Sequence, residues 1–242
     1  MAAVDRRPVR RLRPDPDAPR LPDDVWPASV PAVAQVLRAG LELGAGATVL
    51  VGENGSGKST VLEVLAAALG VNAEGGSRNT RHTTRRSEPG SLDLIVERSP
   101  GADRWAYFLR DETLHGLYSY LEDNPPARGV EPLFHELSHG EAFLALLGAR
   151  ASPRGLYLLD EPDAALSFTG TLSLVVRLAE LVAGGAQVVV ATHSPVLAAL
   201  PGATLLEVGP WGLRPAEWDE LELTANWRQF LGDPSSFLRH LS

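Results

Sequence analysis

The sequence predicts an α/β fold with a mostly parallel central sheet, and three observations carry that prediction. Short apolar runs, ATVLV (47–51), GLYLLD (155–160) and AQVVVAT (186–192), read as strands buried on both faces. Stretches of helical spacing, STVLEVLAAALG and TLSLVVRLAELVAGG, alternate with them, as strand–helix units of a parallel sheet do. A glycine-rich turn joins the first run to the first of these helices, and Gly70 and the pair Gly184-Gly185 close the helices at their C-termini.

Taken in order, residues 1–24 read as an extended Arg/Pro-rich arm, because Pro8, Pro14, Pro16, Pro19 and Pro22 forbid a regular helix. The main domain is expected over 25–242. PAVAQVLRAGLEL follows Pro27 as a short apolar stretch, and the polar, glycine-containing segment 71–90 reads as loop. LDLIVER (92–98) and RWAYFLR (104–110) look like a pair of strands across a Ser-Pro-Gly-Ala turn. TLHGLYSYLED (113–123) is helical, a second loop follows at Pro125, Pro126, Gly129 and Pro132, and a further helix runs from Ser138 to about Ala151. The segment 72–150 interrupts the strand–helix rhythm and is expected to be an inserted lobe. ATLLEVG (203–209) is a late strand, and the tail 217–242 has helical spacing broken at Gly232-Asp233-Pro234.

Composition narrows the function classes. The chain has 242 residues, 44% hydrophobic and 21% charged, which is globular rather than disordered. It has no cysteine, which removes disulfides, zinc–thiolate sites, iron–sulfur clusters and thiol nucleophiles together. No apolar run reaches the ~18 residues of a membrane span, and the N-terminus lacks the apolar core of a secretory signal. The expected location is the cytoplasm, with any membrane contact made through a separate partner. The formal charge of −8 argues against a surface built to grip nucleic-acid backbones. Six arginines against three aspartates in residues 1–20, and a cluster at Arg78, Arg81, Arg85 and Arg86, keep nucleic acid among the candidate partners. The basic residues are 21 arginines and one lysine, Lys58. A compact ammonium and a planar guanidinium are not interchangeable in a tight loop, so the lone lysine marks a candidate site.

That lysine lies in Gly52-Glu53-Asn54-Gly55-Ser56-Gly57-Lys58-Ser59-Thr60, which matches G-x-x-x-x-G-K-[ST] between a strand and a helix. In such a loop, glycines let successive backbone N–H groups turn inward around phosphates, and the helix directs its positive end at them. Lys58 then reaches the terminal phosphates and the Ser59 hydroxyl ligates Mg²⁺. The run Leu156-Tyr157-Leu158-Leu159-Asp160-Glu161 is an apolar strand with acids at its end. Asp160 is placed to hold Mg²⁺, and Glu161 to polarise an attacking water. Leu137-Ser138-His139-Gly140-Glu141 reads as a capping box, Ser138 with Glu141, at a helix start that also suits an anion. His193, after the strand ending Ala191-Thr192, is a candidate contact for the terminal phosphate or the water.

The order and spacing of these motifs resemble the ATP-binding cassette (ABC) superfamily. Lys58 precedes Ser138 by 80 residues, Ser138 precedes Asp160 by 22, and Glu161 precedes His193 by 32. The sequence is similar to a subgroup of stand-alone bacterial ATPases described as AAA-family or ABC-type. The resemblance is carried by VGENGSGKST (51–60), NAEGGSRN (72–79), ELSHGEAFLALL (136–147), GLYLLDEPDAALS (155–167), ATHSPVLAALPGA (191–203) and FLRHL (237–241). It covers about residues 25–242, with LSHGE where transporter cassettes carry LSGGQ.

The resemblance implies a P-loop NTPase of the ABC head type, with an antiparallel β portion and an inserted helical signature region. It implies ATP and Mg²⁺ as cofactors and hydrolysis of ATP, with Glu161 and His193 catalytic. Ser138, His139, Gly140 and Glu141 of a second subunit would close the site, giving a nucleotide-dependent homodimer with room for an unidentified protein partner. One departure is the glutamine that transporter cassettes place between phosphate loop and signature. The glutamines here are Gln35, Gln187 and Gln229, and the nearest polar substitutes are Asn72, Glu74 and Asn79. Trp26 is the candidate to stack on adenine. The alternative readings are the energy subunit of a transporter with a separate membrane partner, and a DNA-acting or defence-related ATPase.

Overall fold

The computed structural model describes residues 6–72, 76, 94–124, 133–149 and 154–239, without the side chains of His139 and Ala149. The strand-forming runs assemble into a larger, mostly parallel sheet and a smaller antiparallel one. In the larger sheet β3 (Ala47–Val51) lies between β7 (Gln187–Thr192) and β8 (Thr204–Gly209). On the other side of β7 come β6 (Leu156–Asp160) and the edge strand β5 (Ala106–Arg110), all in parallel. β9 (Gly212–Ala216) returns antiparallel to β8 and, among the described residues, completes six strands in the order β5-β6-β7-β3-β8-β9. Every residue of β3, β6 and β7 is buried, which is why their sequences are continuous apolar runs rather than alternating ones.

Alternate residues of those strands feed two separate cores. Val49, Val51, Leu159, Val188 and Val190 face α3 (Leu114–Asp123), α4 (His139–Ala149) and α5 (Phe168–Ala183). Leu50, Leu158, Val189 and Ala191 face α1 (Pro31–Ala39) and α2 (Lys58–Leu69). Each helix presents an apolar stripe at three- and four-residue spacing: Val61, Leu62, Leu65 and Leu69 on α2, and Leu174, Leu178 and Leu181 on α5. Gly70 ends α2 in the left-handed conformation and donates back to Ala66 and Ala67, while Ser167 caps α5 through Gly170 N–H. The C-terminal region forms a short α6 (Pro195–Ala198), then α7 (Glu222–Gly232) and α8 (Pro234–Leu238), broken at Asp233 as the sequence predicts. Among the described residues no helix is long and apolar enough to cross a membrane.

Three features depart from the expectations. The arm is extended over β1 (Arg11–Pro14), but it is fastened rather than free. β1 pairs antiparallel with β2 (Leu41–Glu42) and β4 (Leu94–Glu97) in the smaller sheet, and Val9 and Leu12 are fully buried. The Gln187 side chain closes on it, accepting from Val9 N–H at 3.0 Å and donating to Val9 O at 2.8 Å. Arginines on either side of these two apolar residues mask them in the sequence. Second, the expected pairing of 92–98 with 104–110 does not form. β4 joins β1, whereas β5 lies inside the supposed insertion and yet pairs with β6 in the main sheet. Burial explains the split: Ala106–Leu109 are all buried, while β4 is only partly covered. Third, β9 was not anticipated, because Pro215 and Gly212 disguise an edge strand. The loop expected over 71–90 lies almost wholly outside the described residues, as do Arg78, Arg81, Arg85, Arg86, Glu74 and Asn79.

Candidate functional site

The phosphate-loop sequence spans the gap between the C-terminal end of β3 and the first turn of α2. Gly57 makes the junction, with φ of 102°, and a Cβ there would lie 2.4 Å from Val30 Cγ1, so only glycine fits. Lys58 opens α2 and is 3% exposed. Its ammonium donates to Gly52 O at 2.8 Å and Glu53 O at 2.9 Å and stands 4.0 Å from Glu161 Oε1. Burial lowers its pKa, opposed by the nearby charges of Glu161, Asp160 and Glu53.

Parallel packing brings the other strand ends to the same place. Ser59 Oγ donates to Asp160 Oδ1 at 3.0 Å, bridging 101 residues of sequence. Burial pushes the Asp160 carboxyl up to about 6, against the opposing pull of Arg110 and the Ser59 hydroxyl. Glu161 follows with φ of 48°, the left-handed region that a non-glycine residue enters only at a cost, and its N–H is held by Ala191 O. That turn directs its carboxylate away from Asp160's course: Oε1 lies 3.3 Å from His193 Nδ1. Thr192 Oγ1 donates to Asp163 Oδ1 at 2.9 Å and accepts from Ser194 N–H, tying the loop after β6 to the end of β7.

These groups border a cleft of about 380 Å³ lined by Val30, Asn54, Gly55, Gly57, Lys58, Ser59, Thr60, Asp111, Glu112, Asp160 and Glu161. Gly52, Glu53 and Ser56 belong to the same loop and also border a neighbouring hollow beside Trp211. Ser56 Oγ is buried with no hydrogen-bond partner among the described residues, a donor that suits an anion. Ser59 and Asp160 present adjoining hard oxygens. Two protein oxygens suit Mg²⁺, a cation that keeps waters and takes phosphate oxygens as its remaining ligands. The residues present therefore fit both a phosphate chain and Mg²⁺. Trp26, 44% exposed, is not among the residues lining the cleft; Val30 is.

The signature residues lie elsewhere. Ser138 and Glu141 are exposed and form the expected capping box: Glu141 Oε2 accepts from Ser138 N–H at 3.0 Å and from its hydroxyl at 2.6 Å. These bonds lower the pKa of Glu141. Gly140 packs so close to the loop after β6 that a Cβ would lie 2.6 Å from Leu166 Cδ2. The side chain of His139 is outside the described residues. Ser138, Gly140 and Glu141 are not among the described residues that line the cleft.

Residue-type reasoning missed Arg110 and Glu63. Arg110 Nη1 binds Glu63 Oε1 at 2.7 Å, and Nε stands 3.5 Å from Asp160 Oδ2. RWAYFLR is an apolar strand ending in a charge, as GLYLLD is, but what sets Arg110 opposite Asp160 is the parallel register of β5 and β6.

Known proteins resemble the chain in the parts that carry these groups. A family profile described as "AAA domain, putative AbiEii toxin, Type IV TA system" matches residues 134–199, and one described as "AAA domain" matches 37–100. The cytochrome c biogenesis ATP-binding export protein CcmA of Rhizobium etli is 31% identical over 170 residues, covering 62% of this chain and 76% of the relative. The protein of the same name from Rhodospirillum rubrum is 32% identical over 185 residues, covering 71% and 77%. Among solved structures, cbiO1 from Clostridium perfringens, part of the ABC transporter complex cbiONQ, superposes with a TM-score of 0.46 at 17% identity, over 81% of this chain and 88% of that one.

Proposed function

The chain belongs to the ATP-binding cassette family of P-loop ATPases and hydrolyses ATP, and from that premise we propose how its residues divide the work. The loop Gly52–Thr60 holds the phosphates, Lys58 with its ammonium and Ser56 with its unspent hydroxyl. Ser59 and Asp160 hold Mg²⁺, which when bound neutralises charge on the phosphates. Glu161 orients the attacking water and accepts its proton, and His193, 3.3 Å from Glu161 Oε1, fixes that carboxylate's direction. In-line attack on a phosphoryl group needs positioning and charge neutralisation more than covalent help, and this set supplies both. The single observation that carries the assignment is the Ser59–Asp160 hydrogen bond beside Lys58 and Glu161, which joins loop and strand end in one cleft.

Ser138 and Gly140 act in trans in this reading. They lie outside the cleft of their own subunit while Ser138 is exposed at a helix start, an arrangement suited to the terminal phosphate held by a second copy. Hydrolysis then depends on a nucleotide-bridged homodimer. Glu161→Gln tests the catalytic half: hydrolysis should fall by roughly 10²–10⁴-fold while ATP binding persists. Loss of binding together with hydrolysis would contradict the role given to Glu161.

A second reading draws on the relatives, whose names include ATP-binding export. In it the same ATPase drives export as the energy subunit beside a separate membrane partner. Recovery of the tagged native protein from a membrane fraction together with an integral membrane protein supports it; recovery from the soluble fraction alone counts against it.

A further inference from the structure

The cleft has an electrostatic problem. Its lining includes four carboxylates, Asp111, Glu112, Asp160 and Glu161, against the single cation Lys58 among the described residues, yet its substrate is a polyanion. Arg110 stands behind two of those carboxylates. Its Nη2 is 3.3 Å from Glu112 Oε2 and its Nε is 3.5 Å from Asp160 Oδ2, while Nη1 holds Glu63. The guanidinium is mostly enclosed, 14% exposed, so its charge is little screened toward the cleft. The Nε–H is a buried donor with no hydrogen-bond partner among the described residues. Strand pairing fixes the placement, since β5 and β6 run parallel with Arg110 opposite Asp160.

We propose that Arg110 is the positioning residue that sets the cleft's nucleotide preference: by neutralising Asp160 and Glu112 from behind, it lets the site hold a triphosphate more tightly than a diphosphate. The proposal rests on the cleft being the ATP site. Repulsion from an uncompensated carboxylate wall grows with the charge of the nucleotide, and ATP carries one negative charge more than ADP. Asp160 dominates the effect, because Glu112 is 81% exposed and its charge is screened. Glu63, 13% exposed, anchors the guanidinium from the opposite side and keeps it in place.

The test is fluorescence titration with MANT-ATP and MANT-ADP, with magnesium chelated so that hydrolysis does not intrude. In Arg110→Gln the ratio of ATP to ADP affinity should fall by about tenfold, the order expected of one charge in a half-screened site. Arg110→Lys, which keeps the charge, should recover most of that ratio. A merely structural role would weaken both nucleotides equally. The double variant Glu63→Gln/Arg110→Gln removes both charges of the enclosed pair together and safeguards folding. Its ratio should fall less than that of Arg110→Gln, because Glu63 takes a negative charge away with it, but should stay below that of the unaltered protein, because Arg110 is the nearer of the two to Asp160. A wild-type ratio in Arg110→Gln or in the double variant, or no recovery in Arg110→Lys, overturns the proposal. If the unaltered protein binds neither nucleotide, or Lys58→Ala binds both as tightly as it does, the ATP-site reading itself falls.

Discussion

The two ends of the motif set are built in opposite ways. At the strand ends, Lys58 and Asp160 are almost fully buried and their contacts join residues far apart in sequence, Ser59 to Asp160 and Lys58 to Glu161. At the start of α4, Ser138 is exposed and its described hydrogen bonds run only to Glu141 and Ala142, three and four residues on. A buried, long-range cluster is fixed by the whole sheet and works inside one chain. An exposed, local cap costs little to disturb, so its donors, held here by Glu141, can be given up to something outside the chain. In the proposed reading the contrast marks where the boundary of a shared site falls: the first cluster would hold the nucleotide, and the second would be the surface that reports whether it is there.

The largest effect should come from the buried end. Lys58→Ala removes the ammonium beside the phosphates, and turnover should fall by about 10²–10³-fold. Lys58→Arg should fail as badly, because a planar fork does not fit a position whose ammonium already hydrogen-bonds two loop carbonyls. Undiminished ATPase activity in Lys58→Arg would break the comparison at its first member.

Asp160 sharpens it through pH. Its folded pKa, about 6, lies above the ordinary 3.8, so the folded state binds this proton more tightly than the unfolded chain does. The stability it contributes is complete below about pH 4 and is lost as pH rises through about 6. Asp160→Asn should therefore be more stable than the parent at pH 7.5 without magnesium, by about 3 kcal/mol at most, with the gap closing between pH 6 and pH 4. Urea unfolding at the two extremes measures it; a gap independent of pH would show that the strand end is not strained by its charge.

The exposed end should give the smallest change. Glu141 holds a carboxylate on the Ser138 hydroxyl, where a phosphate from a second subunit would approach. Glu141→Gln keeps the capping geometry and removes the like charge, so ATP-dependent association should strengthen several-fold while the melting temperature barely moves. Sedimentation of the two proteins across an ATP series compares them, and weaker association in Glu141→Gln would mean that the signature does not face phosphate.

The same contrast explains what the sequence makes legible. Runs buried on both faces, such as ATVLV and AQVVVAT, announce themselves, and so does a loop whose chemistry demands fixed residue types at fixed spacing. The capping box is legible because it is local. Arg110 is not, since its meaning comes from the neighbour that strand register gives it, and register is a property of the sheet rather than of RWAYFLR. The arm before β1 is hidden for a related reason: Val9 is fastened by Gln187, a residue 178 positions away. Likewise, 92–98 and 104–110 are close enough in sequence to suggest a hairpin, yet β5 pairs with the fully buried β6 and β4 with β1.

The central claim is that the site is completed by a second copy, and light scattering of Glu161→Gln tests it most directly. With saturating Mg·ATP the unhydrolysed complex should accumulate as a dimer at twice the 25.9 kDa of one chain, and Ser138→Arg in the same background should return it to the monomer mass. A Glu161→Gln protein that stays strictly monomeric with ATP bound, while the unaltered protein still hydrolyses ATP, would contradict the shared site and leave an ATPase complete in one chain.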